Sequence, residues 1–203
     1  MDGAISLFFN QLNGSFFVLD WLGIFLAKFL PYFIVLAFLY YIWQEKEFSK
    51  RFFKLIFVTF SLVLTRGIFT PLIRFFYPKE RPFEVFGFQP LIAHSPGSSF
   101  PSGHAAFFFA LAFAAFLLYR FLSKNRRDLR WAWWFLVLAA LNSLGRIYVG
   151  IHWFSDILGG VLTAVLSAAV SYLVFYSIIE KFNQKQQLTG KFAPDSTLKK
   201  LDN

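Results

Sequence analysis

Apolar residues in this chain gather into long runs separated by short polar breaks, with no sustained alternation of the kind a half-buried strand needs. A helix that crosses a bilayer requires about 20 mostly apolar residues. Five segments meet that need: residues 22–43, 52–76, 103–121, 131–149 and 154–179. The second contains Arg66 and Pro71. Residues 4–17 are apolar but short, and Asn13-Gly14 breaks them, so they predict a helix lying at the membrane interface. From residue 181 onward the chain is polar and poor in bulky apolar side chains, which predicts a disordered tail. The pattern therefore predicts an all-α, polytopic membrane helical bundle over residues 1–180, of about five transmembrane helices plus the N-terminal interfacial helix. A polar tail follows over residues 181–203.

Composition supports that reading. The chain is 57% hydrophobic and 22% aromatic, too apolar for an ordinary soluble domain, and its 31 Phe are more than one small core can hold. Many must face lipid. The absence of cysteine excludes disulfides and cysteine-ligated zinc. The net charge of +9 does not point to nucleic acid, because the basic residues sit in blocks between the apolar runs. Lys46, Lys50, Arg51 and Lys54 lie between the first two spans. Arg120, Lys124, Arg126, Arg127 and Arg130 lie between the third and fourth, and five lysines from Lys181 onward occupy the tail. All three blocks fall on one side of a five-span chain. Basic loops stay in the cytoplasm, so the C-terminus is expected there, with the segments at 77–102 and 147–153 facing outward.

Those outward segments carry the candidate chemistry. One holds Arg74, Lys79, Arg81 and Pro82; one holds Pro101-Ser102-Gly103-His104; one holds Arg146, His152 and Asp156. A helical bundle brings such ends together. Arginine offers a planar fork that matches phosphate oxygens. Ser102 and Gly103 begin a predicted helix, whose first N–H groups have no intrahelical partner and form a seat for an anion. His152 and Asp156 are four apart; on a helix they share a face, and the carboxylate would orient one imidazole nitrogen and leave the other free to attack. His104 would protonate the leaving oxygen. A phosphate head above an apolar anchor suits a lipid phosphate as substrate.

These residues resemble the signature of the type 2 phosphatidic-acid phosphatase superfamily, which also includes vanadium haloperoxidases. That signature reads K-x6-RP, PSGH and SR-x5-H-x3-D. Arg81-Pro82 match the first part, with Arg74 in the lysine position; Pro101 to His104 match the second; Arg146, His152 and Asp156 match the third, with Gly145 in place of serine. The resemblance implies His152 as the nucleophile that becomes phosphohistidine, Asp156 as its orienting partner and His104 as general acid. It implies Arg74, Arg81, Ser102, Gly103 and Arg146 as phosphate binders, and neither metal nor cofactor. The stretch from Arg81 through His104 is most similar to bacterial undecaprenyl-pyrophosphate phosphatases, which release phosphate from the lipid carrier of cell-wall synthesis at the outer face of the cytoplasmic membrane. Phosphatases or phosphotransferases of the same superfamily acting on phosphatidylglycerophosphate, phosphatidic acid or lipid A are the alternative. A catalytically silent lipid-binding membrane protein is the alternative of another class.

Rival readings exist for single residues. His104 and His152 could be packing residues, and His-His-Asp could ligate a metal, although three converging arginines would repel one. His94 reads as a loop histidine or as a gate over the site. Lys79 could add a charge for phosphate. Arg66, an ionisable residue inside a span, is either functional or a structural hydrogen-bond donor.

Overall fold

The computed structural model describes residues 1–191, and all regular structure among them is helical. The interfacial helix α1 spans Asp2–Leu12. Helix α2 (Phe17–Ile24) continues through a π-helical turn at Phe25–Phe29 into α3 (Leu30–Trp43). Helix α4 (Phe48–Val63) continues through a second π turn at Leu64–Phe69 into α5 (Thr70–Phe76). A short α6 (Pro82–Phe86) lies in the loop that follows. Helix α7 is Gly103–Leu118, α8 is Arg126–Tyr148 and α9 is Phe154–Lys191.

Four of the five sequence segments lie in helices both long and apolar enough to cross a membrane: Phe17–Trp43, Phe48–Phe76, Gly103–Ser123 and Phe154–Lys181. The chain is a multi-pass membrane protein. The remaining segment, 131–149, lies in α8, whose 23 residues give about 34 Å of helix at 1.5 Å per residue. Its mean hydropathy is lower because Asn142, Ser143 and Arg146 are turned into the bundle, where they are buried. The predicted tail also differs in part. Helix α9 runs on to Lys191, and Asn183 donates to the Phe121 carbonyl at 2.9 Å, which ties this polar stretch to the end of the third span. Residues 192–203 lie outside the described residues.

Helix α7 occupies the centre, packed on α4, α8 and α9. Its interior face is built on Ala105, Ala106, Ala110, Ala114 and Ala115. Lipid supplies no hydrophobic drive between helices, so close approach through small residues is what holds such a bundle together. Phe17, Phe25, Phe33, Phe48, Phe52 and Phe75 point outward, as lipid-facing residues should. At the Lys-rich end, Lys54 is fully buried between Asp128 and Glu45, at 2.8 Å from each. It is therefore an internal clamp between α4 and α8 rather than a loop cation.

A third π turn, Tyr119–Ser123, closes the third span with no proline after it, but the first two share a cause. Each ends two residues before a proline, Pro31 or Pro71. Proline lacks an N–H and crowds the carbonyl four residues back, and a wider turn absorbs the misfit. In the first span the Leu30 N–H reaches back to the Phe25 carbonyl, and Pro31 donates nothing. The Leu26 and Ala27 carbonyls are thereby free of the helix ladder. Asn142 donates to Leu26 O at 2.7 Å, and Arg146 donates to Ala27 O at 3.4 Å. A proline in one span thus fixes an arginine in another.

Candidate active site

The PSGH corner is held from two sides. Ser102 is the N-cap of α7; its hydroxyl oxygen accepts from the Ala105 N–H, and its own N–H donates to the Asp156 carbonyl at 2.9 Å. Helix α9 can pass this close because Gly160 has no side chain. A Cβ there would come within 2.9 Å of the Ala106 nitrogen and the Ser102 carbonyl. The N–H groups of Gly103 and His104 have no partner among the described residues and mark the positive end of the central helix.

Between α8 and α9 the chain turns at Gly150, whose φ of 82° suits glycine, with the Phe88 ring packed against it. His152 stands in this turn, two residues before α9, and Asp156 lies in the first turn of the helix. Their contact is thus not a pairing along one helix face, as the four-residue spacing predicts. The carboxylate reaches back over the helix start. Asp156 Oδ2 accepts from the Trp153 N–H at 2.9 Å and lies 3.2 Å from His152 Nδ1. Nδ1 so placed carries the proton, and Nε2 keeps its lone pair. His152 is only 2% exposed. Burial first, then the fields of Arg146, Arg81 and Arg74, push its pKa well below the ordinary histidine value, so the imidazole is neutral.

Three guanidiniums converge beside it. Arg74 donates to the Pro101 carbonyl at 3.0 Å. Arg81 donates to the Ile151 carbonyl at 2.9 Å and to the Ser98 carbonyl at 3.5 Å. Arg146 is held by Ala27, as described above. None of the three pairs with a carboxylate among the described residues, and each keeps a buried Nε without a partner. Burial lowers the pKa of Arg81 even though Asp156 and Glu84 act to raise it. Two buried cations and a half-buried one, Arg74, with spare donors and no acid between them, form a seat for a multiply charged anion.

Gly145, where the family motif carries serine, has its own explanation. A Cβ there would lie 2.7 Å from the Ala27 nitrogen and 2.9 Å from the Leu26 carbonyl carbon, both backbone atoms of the π turn. Helix α8 approaches the freed carbonyls because position 145 is bare. Gly145→Ser, which restores the family residue, is therefore expected to lower stability by about 1–3 kcal/mol through overpacking. Thermal unfolding in detergent reads this; an unchanged or raised Tm would contradict it.

Lys79 serves Asp156 rather than the anion seat. Its Nζ lies 3.1 Å from Asp156 Oδ1, 2.6 Å from Ser155 Oγ and 3.2 Å from Asp2 Oδ2. Asp2 also accepts from the Ser155 N–H at 3.1 Å and from the Ser155 hydroxyl. Sequence reasoning missed Asp2 altogether. Hydrogen bonds from Ser155 and Lys79 outweigh burial and hold its carboxyl below the usual range. The only signal available was an acidic residue at the start of an otherwise apolar helix, which fixes no partner. His94 is half-buried in the loop before α7, with Nδ1 3.0 Å from the Ser95 carbonyl. Burial, then the fields of Arg81, Arg146 and Arg74, lower its pKa, which puts it at the rim of the arginine cluster. His104 is half-buried in the first turn of α7, within electrostatic reach of Arg146, His152 and Arg66. Arg66 lies over Gly103, where a Cβ would be 3.1 Å from its Nε and Cζ.

Residues 54–180 match the PAP2 superfamily. The bacitracin transport permease protein BcrC of Bacillus licheniformis is 29% identical over 79% of this chain and 74% of its own length. The undecaprenyl-diphosphatase BcrC of Bacillus subtilis is 33% identical over 51% of this chain and 48% of its own. The crystal structure of Aquifex aeolicus LpxE superposes with a TM-score of 0.61, covering 81% of this chain and 92% of that one at 20% identity. A transmembrane PAP2 type phosphatidylglycerolphosphate phosphatase from Bacillus subtilis gives 0.57, covering 91% and 85% at 21% identity. These two likenesses confirm the helical fold. With its three motif segments inside the matched region, the chain belongs to the PAP2 superfamily.

Proposed function

We propose that this protein hydrolyses undecaprenyl pyrophosphate to undecaprenyl phosphate and phosphate through a phosphohistidine, at the outer face of a bacterial cytoplasmic membrane. One observation carries the reading: a neutral, carboxylate-oriented His152 buried against three acid-free guanidiniums at the start of a central helix. Nε2 of His152 attacks the terminal phosphorus in line with the bridging oxygen. The N–P bond forms as the P–O bond breaks, and its electron pair stays on the bridging oxygen, where His104 is the proton source. Arg74, Arg81, Arg146 and the N–H groups of Gly103 and His104 hold the equatorial oxygens, where charge is spread in the transition state. Water then cleaves the N–P bond and gives its proton to His104. Lys79 and Asp2 keep Asp156 in place.

The substrate rests on the similarity to proteins named undecaprenyl-diphosphatases and on the apolar wall below the site. The outward orientation rests on the basic blocks at the opposite ends of the helices. A lipid A 4'-phosphatase of Porphyromonas gingivalis is 24% identical over 81% of this chain, which keeps lipid monophosphates as the second reading. The deciding experiment measures phosphate release from undecaprenyl pyrophosphate, phosphatidylglycerophosphate, phosphatidic acid and a lipid A phosphate, using purified full-length protein in detergent with and without EDTA. Fastest turnover of the pyrophosphate, unaffected by the chelator, is expected. Faster turnover of a monophosphate would move the assignment to the second reading, and no turnover of any of the four would favour a silent lipid-binding protein.

A further inference from the structure

We infer that Arg66 is the specificity-determining residue that holds the inner, lipid-linked phosphate of a diphosphate substrate, and so favours lipid diphosphates over lipid monophosphates. The inference rests on the proposed function and adds to it a residue and a reason for the substrate class.

Arg66 belongs to the second π turn, inside a membrane-spanning segment. Among the described residues it makes no hydrogen bond and no ion pair. An arginine inside a span without a counter-charge is costly, and such residues face a partner or a polar cavity. Arg66 does face a cavity, of about 250 Å³, lined by Arg66, Gly103, His104, Phe107 and Phe108. His152, Asp156, Arg81 and Arg146 are not among its lining residues. His104, the proposed acid, lines this cavity beside Arg66, whose charge also reaches Arg74 and Arg146, so the acid that meets the leaving oxygen stands in it. In-line displacement puts the leaving oxygen opposite the attacking nitrogen. The cavity is accordingly on the leaving-group side. Its apolar part, Phe107 and Phe108, lies one helical turn deeper along α7, where a hydrocarbon chain attached to the leaving group would run.

What leaves differs between the two substrate classes. A lipid monophosphate releases an alcohol, which carries no charge once protonated, so His104 is enough. A lipid diphosphate releases a lipid monophosphate. Its second ionisation lies near pKa ~6, so even with His104 donating to the leaving oxygen the departing phosphate keeps negative charge, and a cation beside that acid stabilises it. In this step the terminal P–O bond breaks, its pair stays on the bridging oxygen, and the Arg66 guanidinium binds the phosphate that now carries the charge. The π turn before Pro71 places that guanidinium over Gly103. Gly103 has no side chain to block it.

The test uses full-length protein in proteoliposomes, as wild type, Arg66→Gln and Arg66→Lys, with undecaprenyl diphosphate and phosphatidic acid as substrates. The readout is the ratio of kcat/KM for the two lipids in the same sample, which does not depend on how much of a variant is folded. In Arg66→Gln the ratio should fall by roughly 100-fold, the scale of losing one charge-stabilising group. Arg66→Lys should recover most of it. The inhibition constant of undecaprenyl phosphate, the charged product, should weaken in Arg66→Gln as well, and this measurement serves if phosphatidic acid turns over too slowly to follow. Equal losses on both lipids, or an unchanged ratio and unchanged product inhibition, would overturn the role of Arg66 while leaving the proposed function standing. A wild type that hydrolyses phosphatidic acid but not the diphosphate would remove the proposed function, and this inference with it.

Discussion

His152→Gln is expected to lower turnover by about 10⁴–10⁶-fold, the scale seen when the nucleophile of a covalent mechanism is removed. Glutamine is close in size and polar, and its amide can keep a hydrogen bond to Asp156, so the fold should survive. The three guanidiniums and the helix start remain, so the variant should still bind vanadate, a phosphate mimic. Rapid quenching of the wild type with a substrate labelled in its terminal phosphate should trap protein-bound phosphate that is stable to base and labile to acid. The variant should trap none. Substantial residual turnover, or labelling of the variant, would end the nucleophile assignment. The depressed pKa adds a pH expectation. With its pKa well below 6.5, His152 stays neutral in the folded protein at mildly acidic pH, where an unfolded histidine would take up a proton. An acid limb due to His152 in kcat/KM should therefore lie below the ordinary histidine range. The same shift makes the unfolded chain bind more protons, so this residue's contribution to stability is present above pH 6.5 and is lost as pH falls.

Asp156→Asn is expected to cost about 10⁴-fold in kcat with a smaller change in KM, as when the orienting carboxylate of a His-dependent hydrolase becomes an amide. The reason is the tautomer. The carboxylate can only accept, which fixes the proton on Nδ1 of His152 and leaves Nε2 to attack. An amide can present its NH2 instead, drawing the Nδ1 lone pair and moving the proton to Nε2, the nitrogen that must be bare. Trp153 N–H and His152 contact the same oxygen, Oδ2, so an NH2 turned toward His152 also gives up the Trp153 bond, while the remaining oxygen faces Lys79. Lys79 loses a charged partner but keeps Asp2. Steady-state phosphate release on the proposed substrate reads both constants; a loss below about tenfold would mean that Asp156 is structural and does not set the protonation of His152.

The helices and the outline of the site were legible because their signals are local. Long apolar runs need no tertiary information to be read as spans. The four-residue step from His152 to Asp156 and the PSGH turn likewise lie within short segments. Segment 131–149 shows where that reading weakens: α8 has its polar residues turned inward toward partners on other helices, so its hydropathy understates its burial. Lys54 shows the same limit from the other direction. A lysine in a basic block reads as a loop cation, yet its partner Asp128 is 74 residues away.

The helical membrane architecture, the family motifs and the residue types of the candidate anion site can be read from the chain alone, since spacing and hydropathy encode them directly. The remainder came from how the helices pack in three dimensions. That packing decided that Lys79 and Asp2 brace Asp156, that the carbonyls freed by Pro31 hold Asn142 and Arg146, that Gly145 must stay bare, and that Arg66 faces a cavity beside Gly103 and His104. Each of these depends on the approach of groups distant in the chain. Such an approach is set by how whole helices pack, through small residues and widened turns, and no local pattern records it.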